Sequence, residues 1–159
     1  MLVDRGYSTG FAAFALGTLG IAQIPGRLLF ALAGRWLRDG RATPVTFALI
    51  AAGLLVLLIA PSAPIVLTGV LLLGMGNGMA ILSRATVLAE RFGTADYGTV
   101  ASLTASTTTV ARAAGPLIAT SVSALIGVDF LTVALIGTAL LAIALTATGA
   151  ERSAYALSD

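Results

Sequence analysis

The stretch Gly98–Ile126, GTVASLTASTTTVARAAGPLIATSVSALI, is long and apolar enough to cross a bilayer, yet it carries an arginine in its interior. At about 1.5 Å per residue, Arg112 lies roughly 20 Å from the end near Tyr97, past the middle of a hydrocarbon core ~30 Å thick. Insertion scales put a central arginine at about 2.5–3.5 kcal/mol, so its side chain is expected to face a protein interior or a wet cavity rather than lipid. Ser102, Thr104, Ser106, Thr107, Thr108 and Thr109 make the N-terminal half of this segment unusually polar. Thr108 and Thr109 stand four and three residues before Arg112, on an adjoining helix face. A helix of this kind lines something.

Composition places the whole chain in the same class. Of 159 residues, 58% are apolar and only 10% charged, with a mean hydropathy of +1.01; an ordinary soluble domain is about 25% charged. The chain therefore reads as an all-α integral membrane protein, a polytopic helix bundle forming a single transmembrane domain over residues 1–159. All nine basic residues are arginine, and the formal charge is +2. They fall in small clusters rather than on one basic face, which speaks against nucleic acid as a partner. Absence of cysteine and histidine removes disulfides, thiolate nucleophiles and the usual zinc and general-base chemistry. No cofactor or metal is implied. The N-terminus, MLVDRGYSTG, has no net positive head, and the apolar run behind it is too long for a signal core, so that run reads as a permanent span.

Five spans follow from the apolar runs: 11–32, 45–60, 65–88, 98–126 and 131–148. Pro25 interrupts the first and predicts a bend there, because proline removes a backbone donor. Arg27, two positions on, reads either as a snorkelling side chain or as a cavity residue. The loop at 34–43, GRWLRDGRAT, holds Arg35, Arg38 and Arg41, with Trp36 suited to the headgroup zone. Short arginine-rich loops stay in the cytoplasm. Arg84, Arg91 and Arg152 then fall on that same side, Arg5 on the other, and the C-terminus is expected in the cytoplasm of a cell-membrane protein. The turns at 61–64, PSAP, and 127–130, GVDF, lie opposite.

Gly74, Gly76 and Gly78 form a GxGxG string with no strand around it, so close helix packing is the expected role rather than phosphate binding. Asn77 among them is placed to hydrogen-bond across that interface or to face a cavity. Gly115-Pro116 is expected to break the fourth span one turn beyond Arg112.

The order PGRLLFALAGRWLRDGRA (25–42), a short helical hairpin, GMGNGMAILSRATVLAERFGTADYGTVASL (74–103) and ARAAGPLIAT (111–120) resembles the C-terminal half of a major facilitator superfamily transporter, from its eighth to its twelfth helix. Gly34, Asp39, Gly40 and Arg41 supply a degenerate copy of that family's loop motif, with Asp39 one place late and Arg38 where the acid is expected. The resemblance implies a secondary transporter that moves a small solute by alternating access about a midplane site. It places Gln23, Arg27, Asn77, Thr108 and Arg112 near the substrate cavity, and Asp39, Arg84 and Glu90 in a cytoplasmic gate. Arg112 would pair with an anionic substrate or a carboxylate of the other half, or else permanently with groups of its own bundle. The same resemblance makes the chain a fragment that lacks the N-terminal half, with substrate, lipid bilayer and that half as partners and no transport by the chain alone. A different class remains open, a small membrane-embedded assembly protein whose polar fourth helix docks on a larger partner. An enzyme is not expected, because no carboxylate pair or histidine or lysine base lies within the spans.

Overall fold

The computed structural model describes the backbone of residues 2–3, 5–38 and 41–155, and side chains except those at 34–36, 38, 90–92, 94–97 and 147–155. It is all-helical: α1 (Thr9–Ile21), α2 (Gln23–Arg38), α3 (Ala42–Ile59), α4 (Ala63–Ile126) and α5 (Val128–Tyr155). Five segments are long and apolar enough to cross a membrane: Thr9–Ala33, Ala42–Ile59, Ala63–Ala89, Gly98–Ile126 and Val128–Thr146. These agree with the expected spans to within a few residues. The fifth helix continues to Tyr155, past the expected end of its span.

The first span divides into α1 and α2 at Ala22, three residues before Pro25. Pro25 offers no N–H to the carbonyl of Ile21, four positions back, and its ring crowds that turn. The chain accordingly leaves regular helix just ahead of the proline rather than at it. Ala22 stays tied by its own N–H to the Thr18 carbonyl at 2.8 Å.

The third and fourth spans are two arms of α4, reversed at Gly93, whose φ of 62° and ψ of −168° are the only non-helical values inside that element. Only glycine adopts this region without strain, so Gly93 makes the turn possible. Gly115-Pro116 does not break the fourth span. Backbone angles there remain helical, and the consequence is local: Pro116 supplies no N–H to the carbonyl of Arg112, four residues earlier.

The third span sits between two neighbours, and its glycines set the distances. A Cβ on Gly78 would overlap the Gln23 carbonyl, and one on Gly26 the Met75 carbonyl. At Gly74 a Cβ would stand 2.5 Å from that of Ala22 and 2.6 Å from the Leu19 oxygen. Gly76 points the other way, where a Cβ would meet Ile50 Cγ1 at 2.7 Å. Positions 74 and 78 share one helix face and 76 lies nearly opposite, so the GxGxG string lets α1 and α2 approach on one side and α3 on the other. Close packing of small residues is the role these glycines have. Gly53 and Gly69 repeat the device between α3 and the start of α4, a Cβ on Gly53 standing 2.8 Å from the Gly69 oxygen.

Apolar burial is concentrated around this seam. Ala15, Ala60, Val66 and Val70 form one cluster, and Leu37, Ala42 and Met79 another nearer the opposite end. α5 packs chiefly on α3, burying Thr132 and Ala139, two turns apart on one face. The fourth span is the exception, since no residue of its most apolar window is buried.

Candidate polar site on the fourth span

The fourth span meets the third along Ala101, Thr104 and Ala105, which with Ile81, Arg84, Ala85 and Leu88 line a groove of about 140 Å³. At its edge Arg84 Nη1 donates to Thr108 Oγ1 at 2.8 Å. Thr108 in turn donates to the Thr104 carbonyl at 2.6 Å, so its hydroxyl is a relay between the two arms. This joins one residue expected at the gate with one expected in the cavity.

The other hydroxyls of the arm turn back on their own helix. Ser106 donates to Ser102 O, Thr107 to Leu103 O and Thr109 to Ala105 O, each at 2.9 Å, and Thr104 to Val100 O at 2.7 Å. Such bonds satisfy the donor and leave oxygen lone pairs outward. The helix can therefore accept hydrogen bonds on several sides, and its arginine can donate them.

Arg112 occupies the middle of the fourth span, fourteen residues from either end, or about 21 Å along the axis. It is exposed, and makes no hydrogen bond or ion pair with another described residue. Antiparallel pairing through Arg84 and Thr108 sets it at about the level of Ala80, roughly one turn from Asn77. Asn77 is half-buried and its Nδ2 donates to Leu73 O at 3.0 Å, within its own helix rather than across the interface. Asn77 and Arg84, seven positions apart, share one face of the third span.

Gln23 and Arg27 lie on α2. Gln23 opens that helix, half-buried with its carbonyl against Gly78, while Arg27 is exposed one turn further on. Neither side chain is bonded to Arg112 or Asn77. Asp39 and the side chain of Glu90 lie outside the described residues, so Arg84 is the gate candidate with a described side chain. No group of three or more metal-ligating side chains occurs among the described residues.

Sequence reasoning missed Arg5. Its Nη1 donates to Leu57 O at 2.8 Å, and its Nη2 to Leu58 O at 3.1 Å and to Asp129 Oδ1 at 2.9 Å. The last carbonyls of a helix lack intrahelical partners, and Arg5 satisfies two of them at the end of α3 while joining the first turn of α5.

Comparison with family models, with curated proteins and with solved structures returned no match.

Proposed function

We propose that this chain is the C-terminal part of a secondary active transporter of the major facilitator type, in the cell membrane with its C-terminus cytoplasmic. Its fourth span forms one wall of a solute pathway. The observation that carries this reading is Arg112, a cation at mid-span with no partner among the described residues, on a helix whose many hydroxyl oxygens can accept hydrogen bonds. Leaving such a charge against lipid costs about 2.5–3.5 kcal/mol, and a pathway that admits water and an anionic solute removes that cost. The chain alone supplies one wall and does not transport; the opposite wall comes from a further helical half. No catalytic chemistry is required.

The natural absence of cysteine makes the test direct. Single substitutions Thr109→Cys and Ala119→Cys on the Arg112 side, and Leu103→Cys and Val110→Cys on the opposite side, are treated in membranes with a charged, water-soluble thiol reagent. Labelling of the first pair and protection of the second supports an aqueous pathway. Protection of all four favours the second reading, an assembly protein whose small-residue face, Ser102, Ser106, Thr109, Ala113 and Thr120, is exposed in the chain and suited to close packing with a foreign helix.

A further inference from the structure

A half-open groove of about 220 Å³ runs between α3 and the third span. Arg84 borders both this groove and the smaller one against the fourth span. The groove is polarised along its length. Ile50 packs at the level of Gly76, so following α3 back to Thr43 corresponds to following α4 forward to about Arg84. One end, at Phe47, Ile50 and Ala80, lies toward the middle of the spans and is apolar save for Thr46, whose hydroxyl donates to the Ala42 carbonyl of its own helix. The other holds Thr43, Ser83 and Arg84 beside the apolar Val87 and Leu88, near the start of α3, with Arg84 five residues from the end of the third span at Ala89.

Three features of the polar end call for an anion. Arg84 donates one N–H to Thr108 and has no other hydrogen bond or ion pair with a described residue, which leaves most of its five donors available. Ser83 is only 5% exposed, yet unlike Thr46 and Thr86 it makes no hydrogen bond with a described residue. No fully enclosed side-chain oxygen in the described residues lacks a partner, so the Ser83 hydroxyl opens onto the groove. At the start of α3 only Ala42 and Thr43 carry N–H groups without a helical partner, since Pro44 has none and Val45 donates to Arg41 O; no side-chain cap comes from the preceding residue, and the end is the positive one of an 18-residue helix. No carboxylate is among the described lining residues, so a net anion fits better than a zwitterion.

We propose that this groove holds one anionic phospholipid. Its phosphate is received by Arg84, Ser83 and the start of α3, and one acyl chain lies along Phe47, Ile50 and Ala80 toward the bilayer centre. The site recognises charge at the headgroup level and hydrocarbon below it, which a soluble phosphate ester cannot use together. It does not rest on a solute pathway at Arg112, although Arg84 also reaches Thr108 on the fourth span.

The experiment is native mass spectrometry of the intact chain from micelles holding equal phosphatidylglycerol and phosphatidylcholine. One phosphatidylglycerol is retained with a preference of about fivefold, the value expected of one cation near the membrane surface. Arg84→Gln abolishes the preference and Arg84→Lys keeps it. Ala80→Trp, which fills the apolar end without touching the cation, loses the bound lipid. Equal retention of the two lipids by the native chain, or an unchanged preference in Arg84→Gln, overturns the proposal. Loss of the preference in Arg84→Lys to the same extent as in Arg84→Gln also overturns it, since the effect would then be structural. Displacement of the lipid by millimolar glycerol 3-phosphate overturns it too, and reassigns the site to a soluble phosphate.

Discussion

Arg5 and Asp129 stand 124 positions apart in sequence and 2.9 Å apart in space. The bond closes one end of the bundle, because the same guanidinium caps the carbonyls of Leu57 and Leu58. The Arg5 side chain is 27% exposed and that of Asp129 75%, so the ion pair itself is heavily screened. Arg5→Ala is expected to cost about 1–2 kcal/mol in unfolding free energy, and Asp129→Asn under ~1 kcal/mol. Raising salt should shrink the Asp129 effect and leave most of the Arg5 effect, as measured by denaturant unfolding in micelles. Equal costs for the two variants would show that the carbonyl cap contributes nothing.

The glycine seam predicts a contrast between positions of identical residue type. Gly78→Ala sets a methyl group into the Gln23 carbonyl and should destabilise by about 1–3 kcal/mol. Gly137→Ala, on α5 with nothing within 4 Å of the new atom, should be neutral or stabilising by up to ~1 kcal/mol. Thermal unfolding of the two variants side by side decides it.

Gly93 predicts a backbone effect without a collision. Nothing lies within 4 Å of a Cβ built there, yet φ is +62°. Gly93→Ala should therefore cost about 1–3 kcal/mol, and Gly98→Ala, also in open space but with helical backbone, should not. Similar unfolding midpoints for the two variants would contradict the strained turn.

Arg112 predicts an effect on insertion rather than on folding. It has no described partner to lose, so Arg112→Leu should leave the unfolding free energy within ~0.5 kcal/mol of native. The fraction of chains with the fourth span inserted, scored by glycosylation mapping, should rise, since about 2.5–3.5 kcal/mol of insertion cost is removed. A loss of folding stability instead would reveal a permanent partner within the bundle.

The spans were legible in the sequence because apolar runs and their arginine-rich ends depend on local composition alone. The effect of Pro25 was legible in kind, though the break appears at Ala22, since the carbonyl deprived of a donor lies a turn upstream. Pro116 removes a donor in the same way, yet the helix runs on. Composition cannot distinguish the two, because neighbours decide whether a deprived carbonyl bends the chain. That Gly74, Gly76 and Gly78 pack closely could be read from residue size; which helix each one meets could not. Arg5–Asp129 and Arg84–Thr108 escaped notice because each joins residues that become neighbours only after the helices have been arranged, and no periodicity announces such a pair.

The single-residue reversal at Gly93 bears on how the protein is made. Ribosomes deliver the third span first, and it is the more apolar of the two arms. With only Gly93 outside helical geometry, the second arm folds back on the first as a helical hairpin, and Arg84 is in place to meet Thr108 as it emerges. A segment bearing Arg112 that would leave the translocon reluctantly by itself can thus depart as half of a pair. The order of synthesis provides the polar helix with a companion before its own charge has to enter the lipid.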